Sequence, residues 1–195
     1  MRVFVAIDLK EEVREKIARF LEGVRGFAEE ARWMRTESLH ITLKFIGEQN
    51  DAQVAAIDER LRGVPGDSFE LRLTGYGFFP TAKAPRVFWI GIQSSPELAA
   101  LAAGIDSTLA DLNIPREDRP YSPHLTLARA GGGSGSPKWR KGDGPNSIFG
   151  ELQKRLAALG DPNFGTMTAR EFSLYRSQLS PAGSKYTKLQ SFSLR

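Results

Sequence analysis

Two pairs of segments in the chain repeat each other at a constant separation. His40–Leu43 (HITL) matches His124–Leu127 (HLTL), and the two histidines are 84 residues apart (124 − 40). Arg2–Ile7 (RVFVAI) matches Arg86–Gly91 (RVFWIG) at the same separation (86 − 2). A separation held over two distinct segments predicts two similar structural units related by pseudo-twofold symmetry, with the histidines at equivalent positions.

The periodicity between these segments predicts a strand, a helix and a second strand in each unit. Helices are predicted from Glu11 to about Ala31 and from Pro96 to about Leu112, and two more from Asp51 to Leu61 and from about Asn146 to Leu159. The predicted strands are residues 2–7, 38–43, 69–79, 86–91, 122–127, 166–175 and 186–194.

These elements predict an α+β fold with two pseudo-twofold-related lobes. Each lobe is expected to hold a mainly antiparallel sheet and two helices, with the two sheets facing a central cleft that the histidine strands line. Parallel pairing of each first strand with its successor, through a right-handed crossover, remains open at this point.

Length and local composition indicate how the chain is divided. With 195 residues and 41% hydrophobic residues, the chain is long enough to bury a core as a single domain over 1–195. Its approximate repeat halves are 1–85 and 86–195. The glycine-rich run GGGSGSP at 131–137 and the basic residues after it predict a mobile insertion at about 131–146.

Composition excludes several classes of chemistry. The chain has no cysteine, which excludes disulfides, cysteine-ligated zinc and cysteine nucleophiles, and two histidines are too few for a histidine-rich metal site to be expected. A formal net charge of +4 is compatible with an anionic partner. No apolar run is long enough to span a membrane, and acidic residues come too early for a signal peptide, so a cytoplasmic protein is expected.

The histidine segments carry the pattern of an acid–base site. Side chains alternate across a strand, so His40 and Thr42 share one face, as do His124 and Thr126, while the leucines face the core. A single histidine on such a strand is more often a hydrogen-bonded surface residue, but its repetition beside a threonine favours function. Two imidazoles can supply the acid and the base that open a cyclic phosphodiester, and the hydroxyls can stabilise the phosphate charge.

The twin His-x-Thr-x segments resemble the signature of the two-histidine (2H) phosphoesterase superfamily. Together with residues 2–8, 39–47 and 121–129, they are most similar to its RNA 2′,3′-cyclic phosphodiesterase branch, which is 2′-5′ RNA ligase-like. The resemblance implies a bilobal fold and hydrolysis of the terminal 2′,3′-cyclic phosphate of RNA to a 2′-phosphomonoester without metal or cofactor. It also implies that His40 is the proton donor and His124 the proton acceptor, with Thr42 and Thr126 binding phosphate.

In this branch an aromatic residue and an arginine, each five positions beyond a motif histidine, hold the terminal base. Phe45 and Arg129 occupy these positions. Strict alternation would turn both toward the core, which leaves a core role open for Phe45. Because a buried unpaired arginine is costly, the second strand is expected to end or twist before Arg129. Lys44 is expected at the rim of the cleft.

The expected partner is RNA with a 2′,3′-cyclic phosphate end, either single-stranded or a tRNA fragment, bound by a monomer with no membrane contact. Three alternatives remain: reverse-direction 2′-5′ RNA ligation, a non-catalytic RNA-end binding module, and a nucleotide-like cyclic phosphate as substrate. Residues 138–141, including Trp139, could close over RNA, or the insertion could be an ordinary surface loop.

Overall fold

A computed structural model of the chain describes residues 1–131, 147–180 and 183–195. The insertion predicted at about 131–146, with Trp139, lies outside the described residues except for Gly131. The strands are β1 (Arg2–Asp8), β2 (Arg32–Trp33), β3 (His40–Glu48), β4 (Phe69–Thr81), β5 (Ala84–Ser94), β6 (His124–Arg129), β7 (Asn163–Ala169), β8 (Glu171–Ser180) and β9 (Gly183–Ser193). The helices are α1 (Glu11–Val24), α2 (Asp51–Arg62), α3 (Pro96–Ala110) and α4 (Gly150–Leu159).

The described strands form two antiparallel sheets. Sheet 1 has the order β3-β1-β8-β9 and sheet 2 the order β2-β6-β5-β4-β7. The predicted α+β class and the two antiparallel sheets of a bilobal fold are confirmed. The parallel alternative is wrong, because β1 pairs antiparallel with β3, and β5 antiparallel with β6.

Each sheet takes strands from both repeat halves. Sheet 1 joins β1 and β3, from the start of the chain, to β8 and β9, from its end. In sheet 2, β4 lies between β5 and β7 although it belongs to the first half of the sequence. The repeat halves 1–85 and 86–195 therefore do not correspond to one sheet each, since strands are exchanged between them.

The helices bury one face against this frame. Helix α1 buries Val13, Ile17 and Leu21, at the spacing of one helical face, and packs beside β7. Helix α3 packs beside β3. Apolar residues of both sheets and of all four described helices form one continuous core, while Phe4, Ala6 and Tyr175 form a small separate cluster on the opposite face of sheet 1.

Several predicted boundaries are wrong. Helix α1 ends at Val24, where a short 3₁₀ turn containing Gly26 replaces the expected continuation to about Ala31. Helix α4 begins at Gly150 rather than near Asn146. The single strand predicted at 166–175 is two strands, β7 and β8, which leave Arg170 between them and enter different sheets. The continuous β-prone sequence there contains no turn signal that marks the change of sheet.

The repeat of the first strands is shifted by one residue. Asp8 lies opposite His40 in the β1–β3 ladder, and Gly91 lies opposite His124 in the β5–β6 ladder, a separation of 83 rather than 84 (91 − 8). The equivalence of residues 2–7 with residues 86–91 at 84 is therefore wrong by one position. Because a one-residue shift exchanges the two faces of a strand, Trp89 lies on the same face as Thr126.

Candidate active site

Two β-bulges set which side chains face the cleft. In the β1–β3 ladder, Ala6 pairs with Thr42 and Val5 with Lys44, which leaves Leu43 as an extra residue. In the β5–β6 ladder, Leu127 is the extra residue in the same way. Leu43 and Leu127 are repeat equivalents (127 − 43 = 84). Each bulge interrupts the alternation, so residues 45 and 129 return to the face that carries the histidines.

The first bulge reverses the expected positions of Lys44 and Phe45. The Lys44 side chain is fully buried, with Nζ 2.5 Å from Oδ1 of Asp106 and 2.9 Å from the carbonyl oxygen of Pro115. The expectation that Lys44 lies at the cleft rim is therefore wrong. Phe45 is 47% exposed opposite Phe4, so the core alternative for Phe45 is wrong.

The strand that carries Arg129 does not end before it. Strand β6 continues to Arg129. The bulge at Leu127 twists the strand, so that Arg129 does not take the face that strict alternation would give it. Arg129 is partly buried, and burial lowers the pKa of its guanidinium; Tyr186 of sheet 1 raises that pKa and Arg32 lowers it. The charge of Arg129 also lowers the pKa of both His40 and His124. Arg129 thus acts electrostatically on both halves of the site.

The two imidazoles are held in the same way. Nδ1 of His40 lies 2.8 Å from the carbonyl oxygen of Ser38, and Nδ1 of His124 lies 2.8 Å from that of Ser122. A carbonyl oxygen can only accept, so each Nδ1 carries the proton and donates it. In both neutral rings Nε2 is then the unprotonated nitrogen, ready to accept a proton.

Aromatic rings surround His40. Its ring centroid lies 4.7 Å from that of Phe4, 5.0 Å from that of Tyr186 and 6.4 Å from that of Tyr175. Burial lowers the pKa of His40 to about 4, although the hydrogen bond to Ser38 and the carboxylate of Asp8 act in the opposite direction. His40 is therefore neutral at pH 7 in the free protein.

His124 also has aromatic neighbours. Phe79 lies edge-on at 4.9 Å between ring centroids, and Trp89 lies at 6.3 Å. Burial lowers the pKa of His124, the hydrogen bond to Ser122 raises it, and Arg129 lowers it. Both imidazoles therefore favour the neutral form in the free protein, and a negative charge beside either ring would stabilise its imidazolium form.

A polar network behind His40 distinguishes the two halves. The hydroxyl of Tyr175 donates a 2.5 Å hydrogen bond to Asp8, and Nζ of Lys188 lies 2.6 Å from the same carboxylate. At the equivalent position beside His124 stands Gly91, which has no side chain. Sequence analysis missed Asp8 because the 84-residue alignment pairs it with Ile92 instead of Gly91, and it missed Tyr175 and Lys188 because they lie far from His40 in the sequence.

The threonines flank the two histidines on the same face. Thr42 is exposed and Thr126 partly buried. The hydroxyl of Tyr121 donates a 2.9 Å hydrogen bond to the carbonyl oxygen of Thr42, which ties the segment before β6 to β3 across the two sheets. The guanidinium of Arg2, on β1, lies 4.7 Å from the ring centroid of Phe45, on β3. The structure therefore places all six predicted side chains on the strands that line the cleft.

Two further observations concern the described ranges only. Within residues 1–131, 147–180 and 183–195, histidine, aspartate and glutamate form no group of three or more that could hold a metal ion. No helix in the same ranges has the length and apolarity needed to cross a membrane. Metal-independent chemistry stays a prediction.

The sequence matches a known protein family twice. The family described as LigT-like phosphoesterases matches residues 7–89 and again residues 90–186, once for each repeat half. An RNA 2′,3′-cyclic phosphodiesterase of Archaeoglobus fulgidus is 34% identical over 98% of this chain and 99% of its own. One from Methanothermobacter thermautotrophicus is 32% identical over 100% of this chain and 99% of its own.

Solved structures share the fold over the whole chain. The crystal structure of TT0787 from Thermus thermophilus has a TM-score of 0.75 and 31% identity, covering 100% of this chain and 98% of that one. The structure of E. coli LigT complexed with 3′-AMP has a TM-score of 0.75 and 26% identity, covering 99% and 97%.

Proposed function

The chain belongs to the LigT-like phosphoesterase family of the two-histidine superfamily, and we propose that it hydrolyses the terminal 2′,3′-cyclic phosphate of RNA to a 2′-phosphomonoester. One observation carries the proposal most directly. Two imidazoles at repeat-equivalent positions are each held through Nδ1 by a carbonyl at 2.8 Å, which leaves both Nε2 atoms for proton transfer. Relatives similar over their full length that are RNA 2′,3′-cyclic phosphodiesterases support the substrate class.

The reaction needs one proton accepted and one donated. Nε2 of His124 accepts a proton from water as the water oxygen attacks phosphorus, and the bond between phosphorus and the 3′ oxygen breaks. Nε2 of His40, protonated in the substrate complex, donates its proton to the departing 3′ oxygen. The phosphate remains on the 2′ oxygen, and the second proton of the product equilibrates with solvent.

The assignment of donor to His40 follows the family pattern. Burial lowers the pKa of His40 to about 4 and Asp8 opposes this lowering, whereas His124 has glycine at the position equivalent to Asp8. The hydroxyls of Thr42 and Thr126 donate to the non-bridging phosphate oxygens and stabilise the charge that develops there. Phe45 and Arg129 hold the terminal base by stacking, which tolerates any base.

The test is turnover of a defined RNA end. An oligonucleotide with a 2′,3′-cyclic phosphate, incubated with the protein in excess chelator, is expected to give a 2′-phosphate end and no 3′-phosphate end. The variants His40→Ala and His124→Ala should each reduce turnover by roughly 10²- to 10⁴-fold and should still bind the end. Binding without product from the unmutated protein would favour a non-catalytic RNA-end binding module instead.

The reverse reaction can be tested with the same preparation. Adding an RNA with a 5′-hydroxyl end would give a 2′-5′ linked product if ligation competes, but the molar excess of water favours hydrolysis.

We propose that residues 1–195 act as one domain and as a monomer in the cytoplasm, on single-stranded ends or tRNA fragments. Light scattering across the concentration range of the assay measures the oligomeric state.

A further inference from the structure

Two arginines lie opposite each other at one end of the cleft, and the charge of Arg32 lowers the pKa of Arg129. Arg32 of the short edge strand β2 is directly opposite Arg129 of β6 in the ladder. Trp33, the next residue, packs edge-on against Phe88 in the core at 6.0 Å between ring centroids, so Arg32 points to the other face, which carries Arg129. Both arginine side chains are partly buried.

This arrangement is unfavourable without an anion. Like charges directly opposite each other in a sheet repel, and partial burial removes part of the water that would screen them. In the part of the chain that the structure describes, neither guanidinium forms an ion pair with a carboxylate. A phosphate placed between two planar guanidinium groups would accept hydrogen bonds from both and remove the repulsion.

The position of the pair indicates which phosphate it binds. Arg129 lies five residues beyond His124 along β6, on the order of 15 Å between Cα atoms at about 3.3 Å per residue. Arg32 is one strand farther out, on the side of β6 away from β5. An anion held between Arg32 and Arg129 is thus displaced from the phosphate at the imidazoles, toward the end of the cleft where Phe45 and Arg129 flank the base.

We propose that Arg32 and the N–H edge of the Arg129 guanidinium bind the phosphodiester on the 5′ side of the terminal nucleotide, while the face of the Arg129 guanidinium stacks on the base, so that the enzyme prefers an oligonucleotide end to a free nucleoside 2′,3′-cyclic phosphate. The inference rests on the proposed function and adds Arg32 as a substrate-binding residue. The ribose carries this phosphodiester at its 5′ carbon, opposite the 2′,3′ edge that holds the reacting phosphate. One bound nucleotide therefore presents two anions at the two ends of the cleft.

Three substrates separate the contribution of the charged 5′ phosphodiester from that of the rest of the substrate. They are adenosine 2′,3′-cyclic phosphate, a dinucleotide with the same cyclic end, and that dinucleotide with a neutral methylphosphonate linkage. Charge-assisted hydrogen bonds predict that the unmutated enzyme has a kcat/KM roughly 10- to 100-fold higher for the charged dinucleotide than for the other two. Most of the difference should lie in KM, because the contact is distant from the reacting atoms.

Arg32→Gln should reduce this preference to the part that Arg129 supplies alone. Its kcat/KM for the charged dinucleotide should fall toward that for the methylphosphonate, with turnover of adenosine 2′,3′-cyclic phosphate unchanged within about 2-fold. Arg19→Gln, which removes one exposed arginine from α1, is the matched control and should retain the preference. Since the substitution removes a like-charge neighbour, the unfolding midpoint of Arg32→Gln should not decrease.

Two results would overturn the inference while leaving the proposed function standing. One is an unmutated enzyme that does not distinguish the charged from the neutral linkage. The other is an Arg32→Gln variant that loses the same factor on all three substrates. Failure of the unmutated enzyme to open any of the three cyclic phosphates would instead contradict the proposed function itself.

Discussion

Asp8 lies directly opposite His40 in the β1–β3 ladder. Its carboxylate accepts a hydrogen bond from Tyr175 and forms an ion pair with Lys188. Two charges of opposite sign thus lie close to one imidazole. Asp8 raises the pKa of His40, and Lys188 partly compensates Asp8. The network therefore regulates how readily His40 becomes protonated.

Substitutions in this network should shift the titration of His40 in opposite directions. Asp8→Asn removes the stabilising carboxylate and should lower the pKa of His40 below about 4. Lys188→Met leaves Asp8 uncompensated and should raise it. The two histidines can be followed separately by NMR, and Lys185→Met on the same strand is the matched control. Shifts of the same sign in both variants would contradict the role of Asp8.

Substitution of the histidines and substitution of the threonines should differ in how far they reduce kcat. Loss of either His40 or His124 should reduce kcat by roughly 10²- to 10⁴-fold, because each removes one proton transfer. Thr42→Val and Thr126→Val keep the shape and β-propensity and should reduce kcat by about 10²-fold, with little change in KM. Steady-state kinetics on a cyclic-ended oligonucleotide measure both effects. A Thr42→Val variant with unchanged kcat would exclude that hydroxyl from phosphate stabilisation.

Protein stability should fall as the pH is lowered through a defined window. The pKa of His40 is about 4 in the folded protein and 6.5 when unperturbed, so between these values the unfolded chain binds a proton that the folded protein does not. The free energy of unfolding should therefore decrease from pH 6.5 toward pH 4 and should be independent of this group above pH 6.5. Asp8, whose pKa is lowered, changes the free energy of unfolding with pH only below its ordinary value of 3.8.

The double variant His40→Gln/His124→Gln isolates this effect, because the chain contains no other histidine. Urea unfolding at about pH 7.5 and about pH 5 should show a clear decrease for the unmutated protein and almost none for the variant. An equal decrease in both would assign the pH dependence to other groups.

Phe45 should contribute to binding and little to stability. The side chain is 47% exposed, and stacking of one base is worth about 1–3 kcal/mol, so Phe45→Ala should raise KM by about 10-fold. Phe45→Trp should retain the low KM. Phe88, which is fully buried, provides the contrast: Phe88→Ala should lower the free energy of unfolding by about 3–5 kcal/mol. A Phe45→Ala variant that unfolds as readily as Phe88→Ala would contradict this assignment.

Lys44 should contribute to stability and not to catalysis. Lys44→Met leaves Asp106 without its 2.5 Å partner and should lower the free energy of unfolding by about 3 kcal/mol, with kcat/KM of the folded protein unchanged. Lys154→Met breaks an exposed pair with Glu151 at 2.8 Å and should leave the free energy of unfolding nearly unchanged. A large loss of kcat in the Lys44→Met variant would contradict this role and favour a position of the Lys44 side chain in the cleft.

The histidine strands could be predicted because the signal is local. Apolar alternation in β3 and β6 and the twin motifs identify the strand, the face and the neighbouring threonine within a few residues. The bulges could not be predicted, because an extra residue is defined only against a partner strand. Alternation alone therefore assigns Lys44 and Phe45 to the wrong faces.

The remaining features depend on contacts between distant parts of the sequence. The surroundings of His40 include Tyr175 and Tyr186, which come from strands near the end of the chain. No local pattern near His40 encodes that pairing. Arg32 was missed for a similar reason, since a two-residue strand carries no periodicity and only the ladder places it opposite Arg129.

The exchange of strands between the two halves also sets the order in which a nascent chain can fold. Strand β1 is synthesised long before its neighbour β8, because most of the other strands and helices lie between them in the sequence. Until then one edge of β1 is unpaired and can bind other chains, which is the hazard of an exposed strand edge. The aromatic surroundings of His40 are completed only when β8 and β9 add Tyr175 and Tyr186, so an incomplete polypeptide carries His40 without these two rings.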